Sequence, residues 1–199
     1  IMKKGQRFLS NSAIASMGYD LPAAIGACMA AHDPEHEGDG YSRHDIILVT
    51  GDGSIQMNLQ ELQTIIHHRM PIKIFLINNG GYHSIRQTQK NFFGEPLVGI
   101  GTDSHDLSFP DMEKLAWAYG YPYVAAHHNE ELAEAVEKTL AVDGPVICEF
   151  FVTMDQNFEP KSSAKRLPDG TLVSPPLEDL SPFLPDEEMD KLMIIPRMK

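Results

Sequence analysis

VTGDGSIQMNLQEL, residues 49–62, brings a β-branched run to a stop at Gly-Asp-Gly-Ser and passes directly into residues with helical spacing. The run itself, DIILVT (45–50), is short, apolar and β-branched, as a strand inside a sheet requires. In NLQELQTIIHHR (58–69), Leu59, Leu62, Ile65 and Ile66 share one helical face, and IKIFLIN (72–78) is again a strand. Strand, helix, strand, with predominantly apolar strands, describes a βαβ unit of a parallel sheet. The fold class predicted is α/β: a doubly wound parallel sheet with helices on both faces.

The pattern extends in both directions. Upstream, LPAAIGACMAA (21–31) is small and apolar with a proline near its start, as expected of a helix packed closely on a sheet. Downstream, DMEKLAWAYG (111–120) reads as a helix ended by Gly120 and YPYVAA (121–126) as a short strand. NEELAEAVEKTLA (129–141) reads as a helix opened by Asn129, and PVICEFFV (145–152) as a last strand. NFFGEPLVGIGTDSHDLSF (91–109) has no clear period and is either a surface loop or a segment arranged around a site. After Asp155 the texture changes, and seven of the 14 prolines fall there. That content rules out a sheet core and predicts a domain at 1–154 followed by an extended arm at 155–199, with a turn at Pro168-Asp169-Gly170 and a short final helix in PDEEMDKLM.

At 199 residues the chain suffices for one sizeable core with an appendage. The net charge of −12, with its 16 basic residues scattered, argues against nucleic acid as a partner. No apolar run approaches the roughly 20 residues that span a bilayer, and no signal-like segment opens the chain, so no membrane and a cytoplasmic setting are expected. Cys28 and Cys148 lie in apolar segments with no CxxC spacing and read as buried small hydrophobes. Ile1 is not a start methionine, which suggests a piece of a longer polypeptide.

In an open parallel sheet, ligands bind beyond the carboxyl ends of the strands. The first strand ends at GDGS (51–54) and the second at NNGG (78–81), placing Asp52 and Asn79 at strand tips 27 positions apart. A carboxylate, an amide oxygen and a backbone carbonyl suit a hard cation such as Mg²⁺, which commonly shares its shell with a phosphate. Gly53 and Ser54 begin a turn whose N–H groups can face an anion, and the cation offsets the repulsion an acidic protein exerts on phosphate. Either motif alone is more often a plain tight turn, since Asp, Asn and Gly are turn formers. Their joint position, one βαβ crossover apart, is what points to a site.

GDGS followed after a helix and a strand by NN resembles the diphosphate and metal motif of thiamine diphosphate enzymes. SMGYDLPAAIGA (16–27) is similar to the segment preceding that motif in the acetolactate synthase and pyruvate oxidase group, and the similarity covers residues 8–152 and the general run of the tail. The resemblance implies the thiamine diphosphate-binding fold, with thiamine diphosphate and Mg²⁺ as cofactors. By it, Asp52, Asn79 and the Gly81 carbonyl ligate Mg²⁺, while Gly53, Ser54 and the Gly81–Tyr82 turn hold the diphosphate. Met17 wedges beneath the cofactor and the Ala15 carbonyl accepts a hydrogen bond from the aminopyrimidine. The implied chemistry is decarboxylation of a small-molecule 2-oxo acid followed by protonation or addition to a second carbonyl, the cofactor serving as electron sink.

The family's activating glutamate belongs to a pyrimidine-binding domain or subunit that no segment here could supply. The resemblance therefore implies a partner, at least a dimer, and no turnover by this chain alone. Two departures bear on the substrate. Thr88 stands where acetolactate synthases carry a tryptophan that shapes the acceptor pocket, Trp117 lying on a later helix, and Asp20 replaces the usual glycine after Gly-Tyr. His83 is a candidate acid or base, or simply a histidine bonded within the loop; Arg86 is a candidate for a substrate carboxylate. His67 and His68 are expected to complement a helix dipole, and His127 and His128 to face solvent. Two other readings stand beside the acetolactate synthase-like one: the cofactor subunit of a two-subunit 2-oxo acid decarboxylase such as one acting on sulfopyruvate, and a non-catalytic binding module that keeps the fold.

Overall fold

The computed structural model describes residues 2–32 and 46–197; Asp45, the first residue of the expected first strand, lies outside them. The chain divides into two compact units, residues 1–154 and 155–199.

The first unit is built on a four-stranded, all-parallel sheet of β1 (Ile46–Gly51), β2 (Ile72–Asn78), β3 (Tyr123–Ala126) and β4 (Val146–Phe151), in the order β1-β2-β4-β3. The helices of this unit are α1 (Asp20–Ala31), α2 (Asp52–Ile55), α3 (Glu61–His67), α4 (His83–Phe92), α5 (Met112–Tyr119) and α6 (Leu132–Ala141). Side-chain alternation along β2 decides which helices lie where. Ile72, Ile74 and Leu76 pack with Leu21, Ile25 and Cys28 of α1, Leu62 and Ile65 of α3, and Met112 and Ala116 of α5. Phe75 points the other way and packs with Cys148, Ala126 and Ala135 of α6. Helices therefore cover both faces, as the apolar strands require. Ile74, Leu76 and Leu62 are fully buried, so cutting any one to alanine costs about 2–5 kcal/mol. On β1, Leu48 and Thr50 are buried while Ile47 and Val49 on its other face are exposed.

Two elements differ in detail from the periodicity. The segment after β1 is not one helix over 58–69: the chain turns helical at Asp52, tightens into a 3-10 turn at Gln56–Asn58, and resumes as α3. The break follows from Gly18, whose backbone N–H and C=O are engaged by Ser54 and Asn58 and which has no space for a Cβ beside Met57. Similarly, Asn129 does not cap α6. A 3-10 turn (Asn129–Glu131) precedes it, and the Glu131 carboxylate accepts from the N–H groups of His127 and His128. Gly120 ends α5 with φ +81, as its sequence position suggests.

His67 and His68 are exposed at the end of α3, and exposed His127 stacks on Phe151 with ring centroids 4.3 Å apart. Cys28 and Cys148 are buried and free. Lys73 is buried on β2, its ammonium donating to the carbonyls of Val142 and Gly144 just beyond α6. No helix of the described residues is long and apolar enough to cross a membrane.

In the second unit, β5 (Lys165–Arg166) and β6 (Leu172–Val173) form a two-stranded antiparallel hairpin. Its turn runs through Pro168, Asp169 and Gly170, with φ +87 at Gly170 and the Asp169 carboxylate accepting from the Thr171 N–H at 2.9 Å. The final helix is α7 (Asp186–Leu192). Asp179, 4% exposed, faces Lys165 and Arg197 of the same unit.

Candidate functional site

β1 and β2 are hydrogen-bonded neighbours with Gly51 opposite Ile77, so Asp52 and the Asn78–Gly81 loop emerge together at one edge of the sheet. The conformation of that loop is fixed by glycines. Gly80 has φ +69 and Gly81 φ +146, and a Cβ on Gly81 would sit 2.1 Å from the Ile100 carbonyl oxygen. The close approach arises because Gly81 pairs with Gly101: Tyr82 donates to the Ile100 carbonyl at 2.7 Å, and Thr102 donates to the Gly80 carbonyl at 3.2 Å. Of the two readings open for residues 91–109, the second is the one found, a segment folded around this loop. It has no period because it pairs through isolated backbone bonds rather than a strand.

Asp52 is 1% exposed. Its Oδ1 accepts from the Gly53 N–H at 2.8 Å, and its Oδ2 is buried with no hydrogen-bond partner. Burial pushes its pKa up to about 6; the N–H groups of Gly53, Gly81 and Gly80 and the charge of Arg86 work against that rise. The Oδ1 of Asn79 is likewise buried and unpartnered. Two buried oxygen acceptors left without donors at adjoining strand tips are costly unless a ligand satisfies them. Among the described residues no three His, Cys, Asp or Glu side chains form a metal-binding group, so a cation here depends on one carboxylate with amide and carbonyl oxygens. That donor set fits Mg²⁺ sharing its shell with a phosphate. The Gly81 carbonyl accepts from the His83 N–H at 3.1 Å and retains a second lone pair.

Gly53 is demanded by a neighbour as much as by any ligand: a Cβ there would lie 2.4 Å from Cε1 of Tyr82. Tyr82 sits at φ −85, ψ 75, an inverse γ-turn, and its ring meets Phe109 edge-on. Ser54 Oγ accepts from the Gly18 N–H at 2.9 Å, which brings the 15–18 segment against the strand tip. Met17 there is 42% exposed, and Ala15 holds φ +54, a left-handed conformation unusual outside glycine. Asn58, which the sequence did not single out, donates to the Gly18 carbonyl at 2.6 Å and completes the fastening of that segment. Asp20, the residue in place of glycine, accepts from the Thr50 hydroxyl and so ties the start of α1 to β1.

The expectation that Arg86 meets a substrate carboxylate is corrected. Its side chain is 1% exposed and its guanidinium is engaged on every side: a two-pronged pair with Asp103 at 2.9 and 3.1 Å, the carbonyls of Asn79 and Gly80 at 3.3 and 3.1 Å, and His83 Nδ1 at 3.2 Å. Partial burial works to raise the Asp103 pKa, but the Arg86 hydrogen bonds and charge hold it below the usual carboxylate range. No sequence signal marked Asp103, since it lies in the aperiodic segment. His83 is 6% exposed, and because a guanidinium can only donate, its Nδ1 must present a lone pair to Arg86. That is bonding within the loop, and it places the ring proton on Nε2, which is then a hydrogen-bond donor. Thr88 is exposed on α4 with its hydroxyl donating to the Ser84 carbonyl at 3.0 Å.

Residues 1–150 match the family model described as "Thiamine pyrophosphate enzyme, C-terminal TPP binding domain". This chain belongs to that family. Among its relatives, "Acetolactate synthase large subunit" of Pyropia yezoensis is 36% identical over 160 residues, covering 79% of this chain and 24% of the relative. "Acetolactate synthase 2, chloroplastic" of Nicotiana tabacum is 31% identical over 161 residues, 79% of this chain and 23% of the relative. "Acetolactate synthase" of Mycobacterium bovis is 31% identical over 163 residues, 81% and 25% respectively. The chain thus spans about a quarter of the length of the curated relatives it matches.

Proposed function

We propose that this chain is the cofactor-binding part of a thiamine diphosphate- and Mg²⁺-dependent enzyme that decarboxylates a 2-oxo acid, pyruvate first among them, and transfers the resulting acyl unit to a carbonyl acceptor. The observation that carries the reading is the pair of buried, unpartnered oxygens, Asp52 Oδ2 and Asn79 Oδ1, at the adjoining tips of β1 and β2. In this reading Asp52, Asn79 and the Gly81 carbonyl hold Mg²⁺. Gly53 and the Gly81–Tyr82 turn lie against the diphosphate, and the Ser54 hydroxyl proton, which remains available while its oxygen accepts from Gly18, is the donor turned to it. Met17 supports the cofactor from below and the Ala15 carbonyl orients its aminopyrimidine. When bound, thiamine diphosphate supplies a sink for the electrons released as carbon dioxide leaves. His83, with Nδ1 committed to Arg86, carries its ring proton on Nε2, from which it would serve catalysis as a hydrogen-bond donor.

The activating glutamate comes, in this reading, from a pyrimidine-binding domain or a partner subunit, in an assembly of at least two chains. Two buried unpaired thiols suit a reducing compartment, and the cytoplasm is the one proposed. A second reading is favoured by Thr88: a small, exposed residue on α4 narrows no acceptor pocket, which suits a decarboxylase cofactor subunit of the sulfopyruvate type that needs no second carbonyl. A non-catalytic module is disfavoured because the costly, unpartnered Asp52 carboxylate is kept.

Calorimetric titration with thiamine diphosphate tests the reading. Binding is expected only with Mg²⁺ present and lost in Asp52→Ala; binding that ignores both the metal and Asp52 overturns it. The chain alone is expected to show no 2-oxo acid turnover, and turnover without a partner would refute the shared site.

A further inference from the structure

Beneath the loop that carries Asn79 lies a buried carboxylate that the site described so far does not use. Glu149, on the interior strand β4, is 2% exposed, and neutral donors take both of its oxygens. Asn78 Nδ2 donates to Oε1 at 2.6 Å and the Tyr123 hydroxyl to Oε2. The acceptor-only carboxylate fixes which way the Asn78 amide faces: its nitrogen must point to Glu149, so its oxygen points up the strand, where it accepts from the Gly80 N–H at 3.1 Å. The Asn78 backbone carbonyl accepts from Val152 at 2.8 Å, so this residue is held at both ends by the β4 segment. From the opposite side, Arg86 and the Thr102 N–H engage the Gly80 carbonyl. The two peptide groups that follow Asn79 and Gly80 are thereby fixed before any ligand arrives, and with them the direction of the unpartnered Asn79 Oδ1.

We propose that Glu149 is a positioning residue for the metal loop. It orients the Asn78 amide, which sets the Gly80 peptide, which aims Asn79. The inference rests on the reading of this loop as an Mg²⁺ and diphosphate site. It adds that the loop is pre-set across three strands, from Tyr123 on β3 through Glu149 on β4 to Asn78 on β2. A loop fixed in advance loses less conformational freedom on binding than one the ligand must order.

The test compares wild type with Glu149→Ala, Glu149→Gln, Asn78→Ser and Tyr123→Phe by two measurements. The first, on metal-free protein, is hydrogen exchange at the Gly80 amide, with the Ile74 and Leu76 amides of β2 as an internal check that the sheet persists. Protection at Gly80 is expected to fall at least about tenfold in Glu149→Ala and Asn78→Ser. It is expected to survive in Glu149→Gln, whose amide oxygen can still accept from Asn78, and in Tyr123→Phe, which leaves the Asn78 link intact. The second is titration of MgCl₂ at fixed thiamine diphosphate, where the same two variants should need at least about tenfold more metal and Glu149→Gln should regain most of the loss. Should Glu149→Ala fail to keep its sheet, Asn78→Ser carries both measurements, because it cuts the link while leaving Glu149 in place. Unchanged Gly80 exchange and metal demand in a folded Glu149→Ala or Asn78→Ser protein overturns the proposal. If wild type shows no metal-dependent binding, the metal-site reading is what falls, and the Gly80 exchange still reports whether Glu149 sets the loop.

Discussion

Replacing Asp52 by asparagine removes a charge that the fold holds in an unfavourable place, and the size of the effect follows from one displaced ionisation. The carboxyl titrates near 3.8 ordinarily and at about 6 in the fold, where burial dominates over the N–H groups of Gly53, Gly81 and Gly80 and the charge of Arg86. Because folding raises the pKa of an acid, the unfolded chain ionises first, and stability falls as pH rises from 3.8 towards 6, then stays at its lower level above that window. At 1.36 kcal/mol per unit, the penalty is about 0.6 kcal/mol at pH 4, about 1.6 at pH 5 and about 3 above pH 7. The substituted amide keeps an acceptor for the Gly53 N–H and carries no charge, so metal-free Asp52→Asn should exceed wild type in stability by those amounts. Urea denaturation of both proteins from pH 4.5 to 8, in EDTA, measures the difference and cancels groups common to both. Mg²⁺ with thiamine diphosphate should then stabilise wild type and not the variant, with metal affinity falling as the proton competes below about pH 6. A stability difference that does not change with pH, or a variant less stable than wild type at pH 8, refutes the reasoning.

Three further substitutions probe the packing of the same edge. Gly53→Ala places a methyl 2.4 Å from Tyr82 Cε1 and should lower stability by about 1–3 kcal/mol, with thermal melts showing recovery when Tyr82→Ala is added. Arg86→Met leaves Asp103 and the Asn79 carbonyl without their donor and the Gly80 carbonyl with Thr102 alone; since Asp103 is partly exposed, denaturation should show the low end of a broken ion pair, about 3 kcal/mol. Gly81→Ala meets the Ile100 carbonyl oxygen at 2.1 Å and a φ that side chains avoid, so calorimetry should show metal-dependent cofactor binding weakened by at least about tenfold while circular dichroism shows the sheet retained.

The strands and most helices were legible in the sequence because their signals are local. β2 announces itself by five apolar residues, four of them consecutive from Ile74 to Ile77, and α1 by Leu21, Ala24, Ile25 and Cys28 at helical spacing. The paired strand tips were legible as a candidate site because Asp52 and Asn79 stand one βαβ crossover apart, which parallel pairing of β1 with β2 turns into proximity. What stayed hidden depends on long-range partners. Asn58 is one more polar helix residue until Gly18 arrives 40 positions away, and Glu149 is a charge interrupting an apolar strand until Asn78 and Tyr123 flank it. Arg86 drew the opposite error: an arginine beside a candidate site suggests a ligand, whereas burial against Asp103 and the loop carbonyls makes it a strut. The helix expected over 58–69 was misjudged at its start for the same kind of reason, since Gly18 and Asn58 impose the 3-10 turn that periodicity alone cannot show.

The sheet order carries a consequence for how the molecule is made. β4, the last strand of the sheet to be synthesised, does not lie at a border but slots between β2 and β3. Until the ribosome has released Val146–Phe151, the nascent protein is a two-stranded β1–β2 ribbon with a bare inner margin, and β3 has no neighbour to join. A polypeptide cut short just before Val146 therefore does not lose a fringe; it loses the keystone, and no backbone hydrogen bonds then join β2 to β3.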